Sequence, residues 1–342
     1  MTASTRNDLN RHWVLNKRPE GNNFEEALSL EEGPVPDCPK GGVLVRTLHL
    51  SMDAGTRMWM TAREDAYQPP IPLGNTMEGV MIGEIAETDH PGFSEGDRVR
   101  GRGMWADYAA IVPEEGYLEV LPDEPDIPLP AFLALFGPNG WTAHVGLFEV
   151  GEAKAGDTVL VSAAAGATGT IVCQLAKNAG CRVLGFTSNP DKAKFLEQDV
   201  GIDQAINYRA DNLDELLKEA APEGVSVYFD NVGGELLDVV LQNLAMYGRI
   251  ALCGLVSEYA KEGRNYGLKH YDQLLMKRGT LKGFFSPDFF DQCAEIEADL
   301  IAAYKAGDLT FWLDEVDGLE NALGAYAKLF ESSNIGKVMV KI

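Results

Sequence analysis

The densest group of residues able to do chemistry is the run Ala163-Ala164-Ala165-Gly166-Ala167-Thr168-Gly169. It follows the apolar stretch Asp157-Thr158-Val159-Leu160-Val161-Ser162 and leads into Ile171, Val172, Leu175 and Ala176 at helical spacing. A strand that turns into a helix through small residues leaves backbone N–H groups uncovered at the helix start, and such a junction binds phosphate. Gly166 and Gly169 keep the spacing of the second and third glycines of a G-x-G-x-x-G loop, and Ala164 stands where the first would be. Glycine also serves helix–strand packing, so the strand–turn–helix context, more than the glycines, points to a dinucleotide.

Which dinucleotide is read at the end of the next strand, Arg182-Val183-Leu184-Gly185-Phe186-Thr187. A site for NAD usually places an acid there to hold the ribose 2′-hydroxyl. This strand ends in Thr187-Ser188-Asn189 with Lys192 close behind. Hydroxyls, an amide and an ammonium are donors suited to a 2′-phosphate, so NADPH is expected over NADH. Asp191 has a structural role open to it as an acid in the first turn of the next helix.

Other chemistries find little support. The histidines (His12, His49, His90, His144, His270) are scattered, with no pair at metal-ligand spacing. The cysteines (Cys38, Cys173, Cys181, Cys253, Cys293) are odd in number and form no C-x-x-C pair, which reads as free thiols. No metal site is expected.

The elements that must position these residues divide the chain. At 342 residues two domains are expected. Residues 1–125 are rich in Gly, Pro and short β-type runs such as 42–48 and 79–85, and read as a compact β domain. From 126 to 304 strands and helices alternate: strands at 157–163, 182–187, 225–230, 248–253 and near 280–285, helices at about 169–179, 191–199 and 235–243. That alternation predicts an α/β domain, a parallel sheet wound by helices. Residues 305–342, with an amphipathic helix near 318–331 and a last strand at 336–342, are expected to return to the β domain.

Bulk composition narrows the partners. The formal charge is −23, from 52 acidic against 29 basic residues, which disfavours nucleic acid and anionic membranes. It also opposes an anionic cofactor, so a dinucleotide site must carry its own positive ends. Met1 to Trp13 is polar and lacks the apolar core of a leader, so a cytoplasmic enzyme is expected.

Taken together, the loop 163–169 with Ala205-Ile206-Asn207-Tyr208, Val227-Tyr228-Phe229-Asp230-Asn231-Val232-Gly233-Gly234, Cys253-Gly254-Leu255-Val256-Ser257-Glu258-Tyr259 and Asn334-Ile335-Gly336-Lys337-Val338 resembles one family. It is that of the zinc-independent medium-chain dehydrogenases/reductases, in the branch of prostaglandin, alkenal double-bond and curcumin reductases. The resemblance covers nearly the whole chain. It implies a GroES-like β domain beside the Rossmann domain, NADPH as cofactor, and usually a homodimer.

It also implies roles for single residues. Lys192 would contact the 2′-phosphate and Tyr208 would lie along the adenosine end, near Ser188 and Asn189. Ala164, Gly166, Ala167, Thr168 and Gly169 would line the pyrophosphate. Asn231, Cys253 and Gly254 would face the cofactor, Phe284, Phe285 and Ser286 would frame the nicotinamide amide, and Asn334 would add a contact from the C-terminal segment. Tyr259 would sit beside the nicotinamide ribose as a proton relay or positioning group. The bland readings are a strand end for Tyr208, a turn for Asn231 and a packing aromatic for Tyr259.

One stretch departs from the family. Relatives carry an Asp-Pro-Tyr-Met-Arg type segment, where this chain has Asp53-Ala54-Gly55-Thr56-Arg57. The Pro-Tyr pair is lost, which bears on substrate choice. Arg57 is expected to be structural, paired with an acid. Candidate apolar walls for a substrate are Trp59, Tyr67, Phe136 and Tyr259.

The expected reaction is metal-free reduction of the C=C bond of an α,β-unsaturated aldehyde or ketone. It needs a hydride donor near the β-carbon, hydrogen-bond donors to the carbonyl oxygen, and a proton for the α-carbon. Zinc alcohol dehydrogenase chemistry would need a Gly-His-Glu segment where this chain has Gly74-Asn75-Thr76-Met77-Glu78-Gly79. Two alternatives stay open. One is an NADPH:quinone reductase on the same fold. The other is an NADPH-binding sensor or structural protein without catalysis.

Overall fold

A computed structural model describes residues 9–261 and 266–342; the first eight residues of the polar N-terminal stretch lie outside it. The chain clusters into two compact units. The first comprises residues 1–133, 314–333 and 338–342, and the second residues 134–313 and 334–337.

The first unit is built on antiparallel strands. A seven-stranded sheet runs Leu313–Asp317, Lys337–Lys341, Val43–Ser51, Glu78–Thr88, Arg98–Met104 and Leu118–Val120, and Tyr108–Ile111 pairs with Val43–Ser51 off this path. The strands Leu9–Leu15 and Leu28–Pro34 form a separate antiparallel pair. Alternate residues face a core that holds Val43, Val45, Met81, Ile85, Val99 and the completely buried Trp105. The helix Ala322–Glu331 closes it with Tyr326, whose ring lies 4.8 Å from Phe24 and 5.2 Å from Trp105. Each such ring taken out of water contributes roughly 1.5–3 kcal/mol.

The second unit has a six-stranded sheet. In space its strands run Gln204–Asn207, Arg182–Thr187, Thr158–Val161, Val225–Asp230, Leu244–Leu252 and Thr280–Gly283. Counted along the chain this is the order 3-2-1-4-5-6, and every pairing in register is parallel. That is the doubly wound dinucleotide-binding arrangement, in which ligands sit beyond the carboxyl ends of the strands where the order reverses. The central strands are near-continuous apolar runs because both faces are covered. Val159, Leu160, Val161, Val227, Tyr228 and Phe229 are all inaccessible.

Several elements differ from the sequence reading. The first strand is shorter, Thr158–Val161, and its helix begins earlier, at Ala167. The fifth strand begins at Leu244 because its early residues pair with Val225 across a register shift. The strand Gln204–Asn207 and the helices Leu213–Ala220, Asp272–Lys277 and Phe290–Ala306 add to those expected. The helix after the second strand runs Pro190–Phe195 and continues as a wider π-type turn through Leu196–Val200, ending at Gly201.

Candidate cofactor and active site

Ser162 follows the first strand, and Ala163 then takes a left-handed conformation with φ 48°. That bend returns the Gly166 N–H to the Ala163 carbonyl at 2.9 Å and starts the helix Ala167–Asn178. A side chain at Gly169 would lie 2.3 Å from the Ala163 carbonyl oxygen and 2.8 Å from the Ala164 Cα, so the close packing of helix on loop admits no Cβ. At Gly166 an added Cβ would meet only the Ala163 oxygen, at 3.2 Å. No side chain caps this helix and no acid lies in its first turn. Its N–H groups and dipole therefore face outward, and the donor set fits a phosphate.

Asn334 is brought to this loop by Gly336. The Gly336 N–H donates to the Ala165 carbonyl at 2.8 Å, and Asn334 Nδ2 donates to the Gly336 carbonyl at 3.1 Å. Thr168 Oγ1 donates to Asn139 Oδ1 at 3.2 Å. Asn139 is a partner the sequence did not reveal.

A second group lies off the second and third strands. Ser188 Oγ and Tyr208 Oη are 3.3 Å apart. Lys192 is buried in the first turn of the next helix. Asn189 also caps that helix: its Oδ1 accepts from the N–H groups of Asp191 at 2.8 Å and Lys192 at 3.4 Å. An Asn followed by Pro at the first helical position is an N-cap signal, readable in the sequence.

The third group is held by Asp230, which the sequence reading passed over. Its Oδ1 accepts from Tyr228 Oη, Ser162 Oγ and the N–H groups of Val232 and Gly233, at 2.9, 3.2, 2.9 and 2.9 Å. Its carbonyl accepts from the N–H groups of Cys253 and Gly254 at 2.8 and 3.0 Å. Burial pushes this carboxyl up from its ordinary value, against the pull of those donors. Asn231 is tied to the first strand, its N–H to Ser162 Oγ at 2.8 Å and its Nδ2 to the Ser162 carbonyl at 2.7 Å. Desolvation, with Asp230 nearby, pushes the Cys253 thiol up to about 12, so it stays protonated at neutral pH and is no nucleophile.

Tyr259 curls back onto the same place. Its Oη accepts the Leu255 N–H at 3.0 Å and lies 3.0 Å from where a Cβ on Gly254 would stand. Buried Glu258 fixes the turn, accepting from Lys261 Nζ at 2.7 Å, the Tyr266 N–H at 2.9 Å and Ser257 Oγ at 3.2 Å. Since the phenol oxygen accepts from the backbone, any hydrogen bond it donates uses its own hydrogen.

Phe284, Phe285 and Ser286 follow the last strand. The Phe284 ring meets Phe229 at 6.2 Å, and Ser286 Oγ accepts from Thr142 Oγ1 at 3.0 Å. The anticipated cofactor residues thus lie at or next to the carboxyl ends of one sheet, and the candidate substrate walls Trp59 and Tyr67 lie in the first unit. The Lys192 and Tyr259 groups do not meet: three strand spacings separate the second strand from the fifth, roughly 14 Å. An extended dinucleotide laid across these ends would touch both, so the residues fit the group.

Arg57 and Phe136 lie away from this group. Arg57 is buried, and its Nε and Nη2 donate to the carbonyls of Gly21 and Pro19 at 2.7–3.1 Å. These contacts to main-chain oxygens give it a structural role. Phe136 is inaccessible, packed on Tyr304 at 5.6 Å, and walls no pocket. Among the described residues no three His, Cys, Asp or Glu side chains come together as a metal site. Glu78, in the stretch where a Gly-His-Glu motif would lie, accepts from Arg102 Nε at 2.6 Å.

Comparison with known proteins decides the family. Residues 11–120 match the family described as "N-terminal domain of oxidoreductase" and residues 167–303 that described as "Zinc-binding dehydrogenase". The chain is 35% identical over 338 residues to the NADPH-dependent curcumin reductase of Escherichia coli (strain K12), covering 97% of each. This chain belongs to the medium-chain dehydrogenase/reductase family. Among other family members it is 36% identical over 337 residues to the 2-alkenal reductase (NADP(+)-dependent) of Nicotiana tabacum, again covering 97% of each. The crystal structure of CurA in complex with NADPH from Vibrio vulnificus superposes with a TM-score of 0.90 at 33% identity, covering 97% of this chain and 98% of that one. The chain therefore has the Rossmann plus GroES-like fold of this family.

Proposed function

We propose that this protein reduces the C=C bond of α,β-unsaturated aldehydes or ketones with NADPH and without a metal. The observation that carries this is the grouping of Asn231, Gly254 and the Tyr259 phenol beside a helix N-terminus that no side chain caps. The names of the relatives support the same cofactor and substrate class: curcumin, 2-alkenal and (+)-pulegone reductases.

In this proposal the loop Ala164, Gly166, Ala167, Thr168 and Gly169 holds the pyrophosphate, with Asn334 alongside. Ser188, Asn189, Lys192 and Tyr208 take the adenosine end. Asn231, Cys253, Gly254, Phe284, Phe285 and Ser286 take the nicotinamide end, where bound NADPH supplies the hydride. Tyr259, held by the Leu255 N–H, donates to the substrate oxygen on which charge develops, or passes a proton toward the α-carbon. No step asks for a Lewis acid, and Glu78 is engaged by Arg102.

The cytoplasm is part of this proposal, supported by free cysteines and by the absence, among the described residues, of a helix long and apolar enough to cross a membrane. A homodimer is also part of it. The strand Thr280–Gly283 forms the sheet's outer edge, and Met246, Tyr247, Leu275 and Met276 are exposed on the same unit.

NADPH oxidation measured against trans-2-alkenals, aromatic enones, quinones and saturated aldehydes, with NADH in parallel and a chelator added, tests the reading. Saturated carbonyl products from enones, with NADPH preferred and the chelator without effect, are expected. Turnover of quinones alone would move the protein to the quinone-reductase branch. Binding of NADPH without any turnover would favour the sensor.

A further inference from the structure

With a net charge of −23, the chain must reverse its field locally wherever it holds an anion. Thr187 and Asn207 are register partners at the ends of the second and third strands, so the residues after them leave the sheet side by side. Ser188 and Tyr208 meet there, and Arg209 comes next. Asn207 fixes its backbone: Oδ1 accepts the Arg209 N–H at 3.0 Å, and the Asn207 carbonyl accepts the Ala210 N–H at 3.2 Å. The Arg209 guanidinium lies 5.7 Å from the centroid of the Tyr208 ring, and the residue is exposed. A cation–π contact of this kind holds a guanidinium in place without using its N–H donors. The acid in the helix that follows the second strand, Asp191, is 3.8 Å from Lys194.

We propose that Arg209 is a specificity-determining residue that gives the 2′-phosphate of the cofactor a second cation beside Lys192. This rests on the reading of NADPH as the cofactor. The ammonium of Lys192 offers a point charge from a buried stem. Arg209 adds a flat fork able to hold two phosphate oxygens, and the Tyr208 ring keeps it close to Ser188. Cofactors without the 2′-phosphate have nothing for this fork to bind, so it separates NADPH from NADH.

The test is calorimetric binding of NADPH, NADH and 2′,5′-ADP to the full-length protein and to Arg209→Gln and Arg209→Lys. An exposed side chain is removed, so folding is checked by a melting curve and expected to be unchanged. Loss of a charge-assisted contact should weaken NADPH and 2′,5′-ADP by roughly ten- to a hundred-fold in Arg209→Gln while NADH is unaffected. Arg209→Lys should recover part of the loss. Equal weakening of NADPH and NADH, or none in either, overturns the assignment and leaves the cofactor reading intact. A wild-type protein that binds NADH as tightly as NADPH overturns the cofactor reading, and the assignment with it.

Discussion

Alanine at Gly166 and at Gly169 should have opposite consequences, although the two glycines stand three residues apart in one loop. At Gly169 the new Cβ would lie 2.3 Å from the Ala163 carbonyl oxygen, against 3.4 Å for ordinary contact, so loop and helix must separate by 3.4 − 2.3, or 1.1 Å. The opposing atoms are backbone, and overpacking of this sort costs roughly 1–3 kcal/mol. In a unit of this size that lowers the melting temperature of the cofactor-free protein by roughly 3–10 °C. The displaced N–H groups then bind phosphate poorly as well. At Gly166 the shortfall is 3.4 − 3.2, or 0.2 Å, and φ is −83°, which alanine adopts without strain. Stability should change by no more than about 0.5 kcal/mol. The methyl group nevertheless stands at the mouth of the helix N-terminus, and NADPH affinity should fall about ten-fold or more, the loss of about one hydrogen bond to a charged group. Differential scanning calorimetry without cofactor and titration with NADPH separate the two quantities. Gly166→Ala binding NADPH as tightly as wild type, or Gly169→Ala melting unchanged, would refute the reasoning.

Three further outcomes are expected. Tyr259→Phe should lower kcat for enones by roughly ten- to a hundred-fold and leave the NADPH dissociation constant within about two-fold, as read from steady-state kinetics and titration; an unchanged kcat would assign Tyr259 to packing. Arg57→Met should cost roughly 2–3 kcal/mol by leaving the Gly21 and Pro19 carbonyls without their charged donor, with NADPH affinity unchanged; altered cofactor binding at full stability would contradict a structural role. The third concerns pH. Burial, then the charges of Lys341 and Arg98, lower the His49 imidazole from 6.5 to about 4, while Glu315, 3.6 Å from Nε2, draws the other way. The folded state then binds fewer protons than the unfolded one between these values. The contribution is therefore complete above pH 6.5 and lost as pH falls toward 4, amounting to roughly 2 kcal/mol after allowance for partial solvent access. His49→Leu should flatten that part of the melting-temperature profile between pH 7 and 4.5; an unchanged slope would show that other groups set it.

Much of the second unit is legible because its signals are local. The strands Arg182–Thr187 and Val225–Asp230 are near-continuous apolar runs, and the junction at 163–169 is marked by small residues whose reason lies within the same few positions. The Asn189 cap is legible too, in Asn-Pro-Asp, where the amide oxygen accepts from its own backbone. What the sequence hides is pairing at a distance. Asp230 organises Ser162, Asn231, Cys253 and Gly254 because the fourth strand lies between the first and fifth, and no spacing rule announces that Ser162 and Asp230 are 68 residues apart yet bonded. Arg57 was legible as structural, but its carbonyl partners depend on how the chain turns at Pro19 and Gly21. The four-residue strand Gln204–Asn207 is too short for periodicity to mark, and the position of Arg209 just beyond it carries no signal of its own.

The central claim is hydride delivery from NADPH to the β-carbon of an enone, and the fate of a label tests it most directly. NADPH deuterated at nicotinamide C4 would be incubated with the purified protein and an aromatic enone, and the product analysed by mass spectrometry and proton NMR. The account predicts a saturated ketone one mass unit heavier, with deuterium at the β-carbon and solvent hydrogen at the α-carbon. Deuterium at the carbonyl carbon of an allylic alcohol would contradict it, because the protein would then be a carbonyl reductase.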